Sequence, residues 1–125
     1  MLLLVLYPGG VNAVVTNCNN YGNITGTSQA SGIGSSSNVS NCANYGNIIA
    51  TDGKAGGIVT EGGGIIINCF NAVNTIIKGN HAGGIAGYGG TSAVPQKIYN
   101  CYNLGAVEGT NVGGITRIHI FWKRK

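Results

Sequence analysis

Charge is scarce in this chain. Only 8% of the 125 residues are Asp, Glu, Lys or Arg, against about 25% in an ordinary soluble protein. Proline occurs twice, with no Gly-X-Y period, which rules out collagen. The acidic side chains number three, Asp52, Glu61 and Glu108. So few carboxylates serve calcium badly, since its sites want several oxygen ligands. A glycosidase needs two carboxylates across one bond, and Asp52 with Glu61 meet that need only by coincidence; Asp52-Gly53 reads better as a turn. No apolar run approaches the roughly 20 residues of a membrane-spanning helix. The apolar start, Met1 to Leu6, is also short of the 7–15-residue core of a typical signal peptide, so no credible signal peptide is read here.

Familiar reaction motifs are missing as well. The chain has no HExxH and no GxSxG, the marks of zinc peptidases and nucleophile elbows. It has no GxGxxG and no GxxxxGK[ST], the loops that cradle phosphate. No CxxC pair occurs, and Cys18, Cys42, Cys69 and Cys101 are too widely spaced for a structural zinc site, whose ligands come in close pairs. His81 and His119 stand alone. The expectation is a non-enzyme with no catalytic residue, no metal and no cofactor.

What is abundant is glycine, 23 residues, and asparagine, 16 residues. Both disfavour helix. A hydrophobic content of 43% is too high for a chain that buries nothing. The net charge of +4 is local. Three Lys balance three carboxylates up to residue 116, and Arg117, Lys123, Arg124 and Lys125 supply the excess. A nucleic-acid binder spreads its cations along the fold, so the tail reads as solvated, and specific nucleic-acid binding is not expected.

The chain repeats. Asn-Cys recurs at Asn17-Cys18, Asn41-Cys42, Asn68-Cys69 and Asn100-Cys101, each followed two residues later by Asn20, Asn44, Asn71 or Asn103. An aromatic accompanies every copy, as Tyr21, Tyr45, Phe70 and Tyr102, and an aliphatic pulse follows at Ile24, Ile48, Ile76 and Val107. Each unit then reaches a small-Gly-Ile step at Gly32-Ile33, Gly57-Ile58, Gly84-Ile85 and Gly114-Ile115. From Cys to that Ile the spacings are 15, 16, 16 and 14; from Ile to the next Cys they are 9, 11 and 16. One interval is nearly fixed and the other absorbs the variation, as in solenoids whose insertions map to one face. Short apolar pulses bounded by Gly, Asn, Ser and Thr read as strands and turns. The fold expected is all-β, a parallel β-solenoid of about four repeats of 24–32 residues.

In such a stack the Cys point inward as free thiols. Each repeat makes either one coil or two. The Asn after Cys either stack their amides into a ladder or hold bends in the left-handed region. The Gly pairs supply positive φ or close backbone approach. The aromatics either pack along an outer face or offer a stripe for carbohydrate or nucleic-acid stacking; Tyr21 and Tyr45 are three residues after Cys, Phe70 and Tyr102 one, so the row breaks register. Open strand edges at both ends predict self-association. Asn23-Ile24-Thr25 and Asn38-Val39-Ser40 fit the glycosylation acceptor pattern.

The run Asn100-Cys101-Tyr102-Asn103-Leu104-Gly105-Ala106-Val107 with Gly113-Gly114-Ile115, and Gly84-Ile85-Ala86-Gly87, resembles the GLUG repeat of bacterial surface proteins. Thr60, Ser35 and Arg117 depart from it at the final Gly, and Ala72-Val73-Asn74 departs in the third unit. The resemblance spans residues 9–116. It implies a structural or adhesive segment of an extracellular or cell-surface protein: a rigid spacer or a surface that meets a host or matrix protein or a glycan through loops 34–40, 59–67 and 86–99. The alternative it implies is the non-catalytic repeat region of a secreted or wall-anchored metallopeptidase. Residues 1–8 read as an apolar leader or truncated start. Residues 117–125 read as a basic tail, truncated end or cap, and the whole as a fragment of a longer parent.

Overall fold

The computed structural model describes residues 14–35, 38–61, 64–88 and 97–116. The segments 1–8 and 117–125 lie outside them, as do parts of the three loops. Every described strand is two or three residues long, and each repeat contributes one strand to each of four parallel, four-stranded sheets. The first sheet stacks β1 (Val14–Thr16), β5 (Asn38–Ser40), β10 (Ile65–Ile67) and β15 (Lys97–Tyr99). The second stacks β2 (Asn19–Asn20), β6 (Ala43–Asn44), β11 (Phe70–Asn71) and β16 (Tyr102–Asn103). The third stacks β3 (Ile24–Gly26), β7 (Ile48–Ala50), β12 (Ile76–Lys78) and β17 (Ala106–Glu108), and the fourth β4 (Gln29–Ser31), β8 (Lys54–Gly56), β13 (His81–Gly83) and β18 (Asn111–Gly113). A fifth ladder pairs β9 (Val59–Glu61) with β14 (Ala86–Tyr88) and is extended by bridges Gly34↔Val59 and Ala86↔Thr116. The protein is a parallel β-solenoid, and one repeat makes one coil.

Short strands suffice because backbone pairing runs between coils. Ala43 N–H donates to the Cys18 carbonyl, Phe70 to Cys42 and Tyr102 to Cys69. Equivalent residues therefore stack at strand spacing, roughly 4.8 Å, and inward positions form rows. Val15, Val39 and Ile66 make one such row, continued by Ile98. It packs with Cys42, Cys69, Ile58 and Ile85 into one apolar cluster, while Ile48, Ile77, Ala55 and Ala82 anchor a second.

The register corrects two readings. The aliphatic row runs Ile24, Ile48, Ile77, Val107. Ile76 pairs with Ala106 instead and stands on the outer row, where its N–H donates to Asn47 Oδ1. The third coil holds two extra residues between Asn71 and this row. Ile77 lies eight residues after Cys69, whereas Ile48 lies six after Cys42. The second coil recovers the difference at its next corner, since Ala55 is seven residues past Ile48 and Ala82 only five past Ile77. The near-constant interval from Cys to Ile is thus two variable corners whose lengths cancel.

Candidate functional site

Two kinds of Asn flank each Cys, and the chain uses them differently. Asn17, Asn41, Asn68 and Asn100 carry φ of 59°, 54°, 58° and 52°. They turn the chain between the first and second sheets in the left-handed region, which Asn tolerates better than most L residues. Asn20, Asn44, Asn71 and Asn103 form a ladder. Asn20 Nδ2 donates to Asn44 Oδ1 at 2.8 Å, Asn44 Nδ2 to Asn71 Oδ1 at 2.7 Å, and Asn71 Nδ2 to Asn103 Oδ1 at 2.7 Å. Both expected roles exist, on different residues.

The ladder is braced within each coil. Asn44 Nδ2 also donates to the Gly46 carbonyl at 2.8 Å, and Gly46 N–H donates to Asn44 Oδ1 at 3.2 Å. Gly22 and Gly105 do the same for Asn20 and Asn103. These bonds fix which amide atom is oxygen, so the ladder has a direction. Asn44 makes all the hydrogen bonds a primary amide can make and is fully buried.

The two half-motifs of the repeat meet in space. A Cβ on Gly32 would meet the Gly57 carbonyl oxygen and, at 2.8 Å, Asn44 Oδ1. A Cβ on Gly57 would meet the Gly84 carbonyl oxygen and, at 3.0 Å, Asn71 Oδ1, and Gly84 stands in the same way against Gly114 and Asn103. Close approach to the next coil, not positive φ, demands these glycines. Ile33, Ile58, Ile85 and Ile115, next in the chain, pack in the first apolar cluster.

Cys18, Cys42, Cys69 and Cys101 are free thiols, the middle two buried. Each Sγ faces the carbonyl two residues back: Thr16, Ser40, Ile67 and Tyr99. The thiols titrate as a row. A hydrogen bond from Cys69 lowers Cys42 to about 7, against the push of burial. The neighbouring Cys101 and Cys42 thiols, then burial, hold Cys69 well above the usual thiol range. Burial, then the neighbouring Cys42, raises Cys18.

Outside, the aromatics form one continuous row. Tyr21 and Tyr45 stack at 4.8 Å, Tyr45 meets Phe70 edge-on at 5.8 Å, and Phe70 stacks on Tyr102 at 5.0 Å. The edge-on contact bridges the register break seen in the sequence. Tyr21, Tyr45 and Tyr102 are exposed, so the row is a surface feature whose rings also stack on one another.

A second surface cluster joins residues that share no sequence motif. Lys54 Nζ pairs with Glu61 at 2.6 Å and sits 4.9 Å from the Tyr88 ring centroid, and Tyr88 meets His81 edge-on at 6.2 Å. Gln29 Nε2 reaches Glu61 at 3.5 Å. Gln29, Lys54 and His81 share one row, and Glu61 and Tyr88 share the next. Aligning the repeats on the Gly-Ile step would have placed all five. The cluster spends Glu61 on Lys54, while Asp52 accepts from Asn80 at 3.1 Å. The two carboxylates thus serve different partners. Among the described residues no group of three His, Cys, Asp or Glu is arranged to hold a metal, and no helix is long and apolar enough to cross a membrane.

No family model, no curated protein and no solved structure matches the chain.

Proposed function

We propose that the chain is a structural and adhesive segment of an extracellular bacterial surface protein, a rigid β-solenoid spacer of the GLUG type. Its outer face would meet a host or matrix protein or a glycan. The observation that carries this reading is the continuous surface row Tyr21–Tyr45–Phe70–Tyr102, whose three tyrosines are exposed. Aromatic rings are large, stiff contact groups that supply area at low entropic cost, and exposed apolar patches mark interaction surfaces. Behind the row, the interior chemistry is spent on holding coils together through Asn amides and thiols.

The test is binding of the purified chain to a glycan array and to a panel of immobilised extracellular-matrix proteins. The expected result is capture by at least one class, lost at least tenfold in the Tyr45→Ser, Phe70→Ser double variant with its circular dichroism unchanged. Capture that is insensitive to the double variant, or none in either panel, would overturn an adhesive role for this face.

A further inference from the structure

Cys18, Cys42, Cys69 and Cys101 form one row, and the backbone fixes its spacing. Just after each Cys, Ala43 N–H donates to the Cys18 carbonyl, Phe70 to Cys42 and Tyr102 to Cys69. Just before it, Asn17 N–H donates to the Ser40 carbonyl, Asn41 to Ile67 and Asn68 to Tyr99. Held on both sides, equivalent Cys positions stand one coil apart, roughly 4.8 Å. All four side chains pack in or against the first apolar cluster. Each neighbouring pair of thiols is in hydrogen-bond contact.

This spacing suits one kind of bridge and not another. A disulfide draws two Cβ atoms to about 3.5–4.5 Å, closer than side chains that leave parallel strands in register. All four thiols are free. Thiolate sulfur holds a d10 metal at about 2.3 Å, the distance found for zinc. An ion midway between two sulfurs therefore needs them about 4.6 Å apart, close to one coil. Zinc itself wants four ligands, and a straight row offers an ion two. Among the described residues no group of three His, Cys, Asp or Glu is arranged to hold a metal. Cu(I), which soft thiolate ligands select, accepts two sulfurs in a line.

The gap between Cys42 and Cys69 also excludes water. Both are buried, beside Val39, Ile58, Ile66 and Ile85, where an added charge is costly. A monovalent ion avoids that cost by replacing a proton. Two S–H groups and M+ give S–M–S–H and one H+, so the net charge of the pair is unchanged.

We propose that the thiol row is a site for a soft, linearly coordinated cation of the Cu(I) type, bound between Cys42 and Cys69 and, by the same spacing, between each outer cysteine and its neighbour. The proposal concerns the interior of the stack and does not depend on the adhesive reading of its aromatic side.

Silver(I), which shares this coordination preference and needs no reductant, is the probe. Two double variants of the full chain each keep two cysteines. Cys18→Ala with Cys101→Ala keeps Cys42 and Cys69 one coil apart. Cys42→Ala with Cys69→Ala keeps Cys18 and Cys101 three coils apart, roughly 14 Å. Affinity is read by competition against a small-molecule thiol. The first variant is expected to bind one Ag(I), roughly a hundredfold more tightly than the second, because its second ligand is already in place. Equal affinities would mean that the thiols act singly and would overturn the proposal. Displacement of Ag(I) by an equimolar amount of Zn(II) would overturn it as well, since it would require a site of more ligands. If the variant lacking Cys42 and Cys69 does not fold, the unmodified chain decides. Ag(I) is expected to raise its urea midpoint, as a ligand that prefers the folded state does; a midpoint unchanged or lowered would show that the unfolded thiols bind as well or better.

Discussion

The second and third coils lie side by side and build the same corner from different material. In the second, Asn44-Tyr45-Gly46 lets the Asn side chain bond the Gly backbone in both directions. In the third, two more residues intervene, and Asn71 Nδ2 donates instead to Thr75 Oγ1 at 2.9 Å, whose own proton goes to the Ala72 carbonyl at 2.8 Å. Asn74, at φ 66°, turns the longer loop. The following rows nevertheless fall back into register at Ile48 and Ile77. What the stack preserves is a polar partner for the ladder amide at one point in space. A glycine carbonyl or a threonine hydroxyl meets that demand equally.

Removing a ladder amide should be the most damaging way to probe this comparison. Asn44→Ala strands an Asn20 proton and an Asn71 lone pair in the interior, and each unsatisfied buried group costs roughly 1–3 kcal/mol. Together with the cavity, a loss of about 3–5 kcal/mol is expected, read as a fall in the urea midpoint. Asn103→Ala, at the partly open end of the row, should cost less than half as much. Equal losses at the two positions would show that the ladder is not cooperative across coils.

The corners come next. Gly46→Ala forces a Cβ onto the Gly22 carbonyl oxygen, backbone that cannot swing aside, and overpacking of this kind costs about 1–3 kcal/mol. Thr75→Val removes the hydroxyl that receives Asn71, again at about 1–3 kcal/mol. Replacing residues 72–75 by the Tyr-Gly pair of the second coil should rescue the loss, because Ile77 then stands four residues past Asn71, as Ile48 stands past Asn44. A rescued chain with a urea midpoint below that of Thr75→Val would mean that the corners are not interchangeable.

Much of this was legible in the chain. The Asn-Cys and Gly-Ile copies gave the repeat, and Gly and Asn content gave strands over helices. The inward Cys row followed from the repeat as well. Three things were not legible. The length from Cys to Ile looked fixed because the longer corner after Asn71 is cancelled by a shorter one before Ala82, and a sum conceals such cancellation. Ile76 and Ile77 are both isoleucine, so hydrophobicity alone could not tell which faced inward; only pairing with Ala106 and Val107 decides it. Lys54, Glu61, Tyr88 and His81 are distant in sequence and share no motif, and they meet because adjacent coils place equivalent positions in one row.

A subtler contrast separates the two Asn at each Cys. Asn41 holds φ 54° and is exposed, while Asn44 is buried. Asn41→Gly should be neutral within a few tenths of a kcal/mol, since glycine enters the left-handed region freely. Asn41→Ala should cost roughly 1–2 kcal/mol for backbone strain. At Asn44 glycine should be as harmful as alanine or worse. If glycine were tolerated at both positions, the ladder would hold no energy beyond that of the turn.

The smallest expected effect is that of pH, and the two inner thiols pull it in opposite directions. Cys42 is lowered to about 7 from 9.0 in the folded chain. Between those values the folded state carries fewer protons than the unfolded, so stability should rise as pH climbs from about 7 toward 9. Cys69 is shifted the other way. Once unfolded thiols ionise near 9, the folded chain still holds the Cys69 proton, and stability should fall again. The urea midpoint should therefore pass through a shallow maximum near pH 9. Cys42→Ser should flatten the rising limb, and Cys69→Ser should weaken both limbs without removing them, because Cys69 is the largest of several influences that lower Cys42 and Cys18 is raised as well. A maximum unchanged in Cys69→Ser would show that the four thiols are packed as independent apolar groups and share no proton along the row.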